Sequence, residues 1–341
     1  MTTMHEGFAS QEGNESLIDD DNFHEPETGQ WWEHETLWFW WFHPERKLGC
    51  WIYHYVRPNV GVAGGGVFLF DDTAWFHMET PYYLNYWNTP LPAQRDLRDV
   101  TFPGGSRIEM LDPLRHYRLS FADRDTIRYE LDWRAIMPPW VRVSPPVDMS
   151  RPKEGEGEHK PRHLDQFGHV TGLLVLHGEE ITIDCYAMRD RSWWHLRPEP
   201  WKTGGGTGSY ITAAASPDTA FFGCGPGGFL VLDGVRAPLV AGAKRRERDP
   251  EHGWVRRLFV DATDTHGREL HVAGESVSRM AMPISGVHGV CWTSLMRYTI
   301  NGIPAWGDDQ DAWSIHAWSA FRRQQRGIPD RRATLLGDVE H

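Results

Sequence analysis

Three short stretches of this chain carry residues suited to chemistry. Arg189-Asp190-Arg191-Ser192-Trp193-Trp194-His195 sets a carboxyl between two guanidiniums, beside two indoles and an imidazole. Asp190 can act as a general acid if burial holds its proton near neutral pH. The flanking arginines can equally keep it ionised as a structural pair. On a strand Trp193 and Trp194 face opposite sides, and His195 shares a face with Trp193. Arg189 and Arg197 are candidate anchors for a substrate oxygen. In the second stretch, Glu33-His34-Glu35 lies among Trp31, Trp32 and Trp38. A carboxyl inside an aromatic cluster suits acid–base work; on the wet face of an edge strand it does none. The third stretch, Asp308-Asp309-Gln310-Asp311, lacks the glycine and glutamate of a calcium loop. It reads as a turn with helix-capping acids sooner than as a cation site.

Other residues offer walls or a base. His54 and Tyr55 alternate in an aromatic strand, so one of them faces any cavity there. Tyr82, Tyr83, Tyr86 and Trp87 follow Pro81 in a loop-like segment able to cover a cavity mouth or to pack beneath it. No HExxH, GxSxG, GxGxxG or Cys-x-x-Cys spacing occurs, so no metal or other cofactor is expected.

Composition narrows the class. The chain has 341 residues and a formal net charge of −12, which disfavours nucleic acid and anionic membrane as partners. The basic run Lys244–Arg248 reads as a solvated loop. No apolar run approaches the roughly 18 residues of a membrane span. The acidic start lacks a signal-peptide core, and the four cysteines are widely spaced. A reduced, soluble, cytoplasmic protein is the expectation, monomeric or homodimeric. The aromatic content is the anomaly: 18 Trp, 15 Phe and 10 Tyr. Indoles suit a large, rigid, apolar surface with a polar handle, as in a ligand pocket.

The elements that must position these residues are strands. Trp38–Phe42 and Gly49–Val56 flank a turn; so do Gly64–Phe70 and Ala74–Glu79, Arg115–Phe121 and Thr126–Trp133, and Val170–Leu176 and Ile181–Ala187. Further strands are expected at 219–223, 228–232, 254–261, 269–278 and 289–300, and one helix at 311–325. Residues 1–29 read as an acidic flexible arm, and the Pro/Gly-rich 151–162 as a linker. It separates an N-terminal β unit (30–150) from a C-terminal one (163–341). The fold class is all-β, with many short antiparallel strands.

The stretches His163-Leu164-Asp165-Gln166, Val170-Thr171-Gly172 and Arg189-Asp190-Arg191-Ser192-Trp193 resemble the EQ, VTG and RDHSWG pattern of the superfamily of carotenoid hydratases (hydroxyneurosporene synthases) and AttH-like proteins. Trp31-Trp32-Glu33 and the Trp306–Trp313 tail are similar to the ends of those relatives, so the resemblance covers about Trp31 to Phe321. It departs at two places: Arg191 replaces the histidine, and Trp194 replaces the glycine. The resemblance implies two consecutive lipocalin-like barrels and cofactor-free chemistry on hydrophobic molecules, with Trp193, a motif residue, as the better pocket candidate. The resulting expectation is a lyase or hydratase, or a cyclase or isomerase, acting on a terpenoid, steroid or aromatic substrate. Asp190 would be the acid, His54, His195 or Glu33 the base, and Trp32, Trp38, Tyr55, Tyr83, Trp87, Arg189, Trp193, Trp194 and Arg197 the binding residues. A non-enzymatic carrier of an apolar ligand needs the same pocket without the acid–base pair. A Trp-rich interaction module is the third reading; it requires a large exposed apolar patch.

Overall fold

The computed structural model describes residues 2–3, 18–143, 162–196, 207–224, 227–284 and 289–332. A two-residue strand, β1 (Thr2–Thr3), precedes the first sheet. That sheet contains β2 (Glu33–His43), β3 (Leu48–Arg57), β4 (Val62–Phe70), β5 (Tyr82–Pro90), β6 (Val100–Thr101), β7 (Arg107–Asp112), β8 (His116–Asp123), β9 (Ile127–Ala135), β10 (Trp140–Val143), β11 (Arg162–Leu176) and β12 (Glu179–Leu196). Its strand order is β5-β4-β3-β2-β12-β11-β9-β8-β7-β6, with β10 also on β11.

The second sheet contains β13 (Thr207–Ser216), β14 (Thr219–Cys224), β15 (Gly227–Leu232), β16 (Val235–Arg248), β17 (Val255–Asp264), β18 (Glu269–Ile284), β19 (Gly289–Ile300) and β20 (Ile303–Ser314). Pairing of β16 with β17 closes these eight strands into a barrel, and β1 adds to β16. One helix, α1 (Ile315–Gln325), follows β20, capped by the Ser314 hydroxyl, which accepts from the Ala317 N–H. The molecule is all-β: a curled sheet beside a closed barrel. Among the described residues, no helix is long and apolar enough to cross a membrane.

The aromatic run of β2 has a physical reason: both of its faces are buried. Phe39 and Trp41 point into the curl of the first sheet, against Tyr117, Trp133 and Tyr129. Trp38, Trp40 and Phe42 point the other way. Trp38 meets Tyr210 and Phe42 meets Trp306, both on the barrel. A strand covered on both sides reads as a continuous apolar run rather than as an alternation. Truncating one such indole costs about 3–5 kcal/mol.

Several elements differ from the sequence expectation. Ala74–Glu79 is not a strand. Glu79 accepts hydrogen bonds from the N–H groups of Trp75 and Phe76, which curls the chain into a turn. Phe76 then bridges to Ala281 of the barrel. The partner of β4 is β5, so Tyr82–Trp87 is strand, not loop. Residues 308–311 lie inside β20, and Lys244–Arg248 forms the end of β16; neither is a turn or a loop. The sheets also do not part at the Pro/Gly-rich stretch. β11 and β12 pair with β9 and β2 of the first sheet, so the change of sheet falls between Leu196 and Thr207. Most of the expected arm and linker lies outside the described residues.

Candidate functional site

A cavity of about 350 Å³ lies between the outer face of the first sheet and the barrel. That is within the usual size of small-molecule sites. Its apolar wall comes from Trp51, Tyr53 and Tyr55 of β3, Phe68 of β4 and Trp87 of β5. Met282, Pro283 and Cys291 of the barrel line it too. The glycines of β4 make room for the tyrosines. A Cβ on Gly64 would lie 2.4 Å from the Tyr55 ring, and one on Gly65, whose φ is +107°, 2.0 Å from the Tyr53 carbonyl oxygen. Only glycine fits there.

The polar wall is built by one hairpin. β11 and β12 turn at His177-Gly178, both with positive φ, as a two-residue hairpin turn of the primed type demands. Counting outwards from that turn, Asp165 stands directly opposite Asp190 and His163 opposite Ser192. His163 and Asp165 are two residues apart, so they share a face. The His163 Nε2 lies 3.0 Å from Asp165 Oδ1 and 3.8 Å from Asp190 Oδ2. The Tyr210 hydroxyl, from the barrel, donates to Asp165 Oδ1 at 2.5 Å. Asp165 is fully buried, whereas His163 and Asp190 open on the cavity. One ligand atom from each of His163, Asp165 and Asp190 lies within 4.8 Å of the others, close enough to hold a divalent cation.

A third carboxyl stands behind the barrel side of the cavity. Asp308 is fully buried; its Oδ1 accepts from the Thr212 hydroxyl (2.7 Å) and its Oδ2 from Gln310 Nε2 (3.0 Å). Gln310 itself lines the cavity. Burial, reinforced by the charges of Asp309 and Asp190, pushes the Asp308 carboxyl up to about 8, against the opposing effect of its two hydrogen bonds. The cavity thus has an aromatic side and a side where carboxyl, imidazole, phenol and amide groups converge.

The family model described as "Domain of unknown function (DUF7064)" matches residues 18–315. The chain belongs to the DUF7064 family. Among solved structures, this DUF7064 chain is similar to kievitone hydratase from Nectria haematococca, with 12% identity over 91% of this chain and 97% of that one, at a TM-score of 0.51. It is also similar to a putative AttH from Nitrosomonas europaea, with 14% identity over 82% and 92% and a TM-score of 0.49. A third similarity is to CghA with Sch210972, with 11% identity over 82% and 88% and a TM-score of 0.44. No curated protein matches the sequence. What the DUF7064 chain shares with kievitone hydratase is the fold.

The structure brings Asp190, His195, Tyr55 and Trp87 to the cavity wall. His195 arrives by a route the alternation did not anticipate. Ser192 pairs with Thr36, but His195 pairs with His34, so β12 carries one extra residue against β2. That bulge moves His195 onto the face of Asp190 and away from that of Trp193. Trp194 absorbs it with φ at +58°, a conformation that favours glycine, which the resembled pattern has at this place. Its indole donates to the Glu25 carbonyl oxygen, away from the cavity. Trp193 is buried beside Leu114 and Leu164 and stacks on His24. Neither indole lines the cavity.

Other candidates sit elsewhere. Glu33 is buried at the edge of β2, where it accepts from the N–H groups of Glu27 (2.6 Å) and Thr28 (2.8 Å). Its oxygens are consumed by a loop. His54 points into the curl of the first sheet, 3.0 Å from the Ser106 hydroxyl and stacked on Phe102 at 3.8 Å. Burial lowers its imidazole to about 3, so it stays neutral. Arg189 is also inside the curl, paired with Asp21 at 2.9 Å. Trp38 lies behind the cavity wall, edge-on to Trp51 and Tyr210. Trp32 packs against Trp31, and Tyr83 on Phe68 and His77. Arg197 lies outside the described residues. His163, Asp165 and Tyr210 were missed as candidates, and Asp308 was read only as a turn acid or cation ligand, not as a buried carboxyl beside a cavity. The His163-x-Asp165 spacing, together with the hairpin turn, was the signal for the first two; no local signal marks Tyr210.

Proposed function

We propose that this protein is a cofactor-independent lyase of the hydratase or dehydratase type, acting on a hydrophobic terpenoid, steroid or aromatic molecule held in the inter-sheet cavity. One observation carries the reading: a carboxyl–imidazole–carboxyl cluster opens onto a cavity beside an aromatic surface on the same sheet face. Asp190 gives its proton to one carbon of a substrate double bond. Positive charge develops on the neighbouring carbon, facing the rings of Trp51, Tyr53 and Tyr55, which stabilise it by cation–π attraction. Water adds its oxygen there and releases a proton to His163. His163 Nε2 then returns a proton to Asp190 across 3.8 Å. The net change is H and OH added across the double bond; the reverse sequence removes water. Asp165, fixed by the Tyr210 hydroxyl, orients the imidazole. A fold shared with a protein named as a hydratase is in keeping with this chemistry.

The test starts from organic extraction of the purified protein and mass spectrometry of what it retains. Asp190→Asn and His163→Gln should bind that compound and lose turnover by about 100-fold or more. Wild-type rates in both variants would end the acid–base reading. Binding without any turnover, even in the wild type, would make the protein a carrier.

A further inference from the structure

The barrel interior contains a second polar cluster that the proposed chemistry does not use. Lys244, Arg246 and Arg248 of β16 stand opposite Val260, Leu258 and Val255 of β17, which places them on the interior face. Asp309 and Asp311 of β20 face the same interior, opposite Ile211 and Ser209 of β13. Asp311 is fully engaged. Arg248 donates to its two oxygens at 2.5 and 3.0 Å, and Trp313 Nε1 donates at 2.6 Å.

Asp309 is different. It is fully buried, yet neither carboxyl oxygen has a hydrogen-bond partner among the described residues. The same holds for Nε and Nη2 of Arg246 and for the hydroxyl of Ser294, which stands opposite Asp309 on β19. Arg246 reaches Asp311 only at 3.8 Å, and no direct bond joins it to Asp309. Burial, with the charge of Asp311 beside it, pushes the Asp309 carboxyl above the ordinary carboxylate range, against the charges of Arg246, Lys244 and Arg248. Buried donors and acceptors inside one barrel without a direct bond call for a small bridging molecule that both donates and accepts.

This core touches the cavity at one point. Lys244 Nζ donates to the Ser209 hydroxyl at 2.7 Å, and Ser209 lines the cavity. With Lys244 as its donor, the Ser209 hydroxyl keeps its own proton free to donate. We propose that the barrel core holds ordered water between Asp309, Arg246 and Ser294 and exchanges it with the cavity past Lys244 and Ser209. The inference rests on the hydration reading for its purpose: the barrel would supply the water that adds to the substrate or take up the water removed.

The first experiment is a crystal structure of the full chain at neutral pH. It is expected to show water within about 3 Å of both an Asp309 oxygen and an Arg246 nitrogen. A dry core with Asp309 paired directly to Arg246, or an ion in that place, overturns the proposal. The second is oxygen-17 relaxation dispersion, with anilinonaphthalene sulfonate as the cavity probe. The residence time of internal water should lengthen severalfold when the probe fills the cavity. It should lengthen likewise in Ser209→Val without the probe. A residence time unmoved by both means that the water does not pass Ser209. Failure of the probe to bind counts against the cavity reading alone, since the crystal structure and Ser209→Val decide the water core without it.

Discussion

Asp165 and Asp190 face each other directly across the β11–β12 ladder, with His163 Nε2 3.0 Å from one and 3.8 Å from the other. Two carboxyls in such a cross-strand pair oppose folding to the extent that both carry charge. Asp190→Asn removes one of them. Chemical denaturation should therefore find this variant as stable as the wild type or up to about 1 kcal/mol more stable. A loss of several kcal/mol would make Asp190 a structural residue.

Asp308 gives a pH signature. Its folded-state carboxyl titrates near 8, far above the ordinary value of 3.8. Between those values the folded state holds a proton that the unfolded chain has released. The stability this confers is full below about 4 and is lost as the pH rises towards 8. Asp308→Asn keeps the polar shape without the titration. Urea melts from pH 5 to 8 should show the variant gaining on the wild type as pH rises; parallel curves would refute the assignment.

His54 acts in the other direction. Its folded-state value near 3 lies below the ordinary 6.5, so its contribution is complete above 6.5 and lost as the pH falls towards 3. The slope approaches about 1.4 kcal/mol per pH unit. His54→Phe should flatten this acid limb in melts between pH 6.5 and 4 and leave ligand binding in the cavity unchanged.

The Asp21–Arg189 pair is structural. Asp21 also accepts from the Leu114 N–H at 2.6 Å and from the Tyr117 hydroxyl, and Arg189 Nε donates to Gln166 at 2.9 Å. Asp21→Ala leaves a buried guanidinium without its counter-charge and should cost about 3–5 kcal/mol. Equilibrium unfolding measures this. A change in ligand affinity at unchanged stability would restore Arg189 as a substrate anchor.

At Trp194 the backbone is left-handed. Trp194→Ala loses the indole and retains the strain, whereas Trp194→Gly loses the indole and relieves it. The alanine variant should be the less stable by about 1 kcal/mol; the opposite order would mean that the bulge rearranges.

Some of this was legible in the sequence because it depends on near neighbours. Turn residues between β-branched and aromatic runs specified the β2–β3, β8–β9 and β11–β12 hairpins. Once the turn at His177-Gly178 is placed, the antiparallel ladder fixes Asp165 against Asp190 with no further information. The density of tryptophan predicted large apolar surfaces, and β2 shows where many of them went. Tertiary structure decided the rest. Alternation assigns residues to two faces, but when both faces of a strand are buried it cannot say which one meets a cavity. That choice was made by the barrel docking on the Asp190 face, which left Arg189 and His54 inside the curl. The bulge that turned His195 to the cavity depends on the register against β2, more than 150 residues away in sequence. The acids of 308–311 and the bases of 244–248 look locally like a turn and a solvated loop, because charged runs are costly to bury. Closure of the barrel brought Arg248 to Asp311 and made that burial possible, an offset between opposite charges that no local window contains.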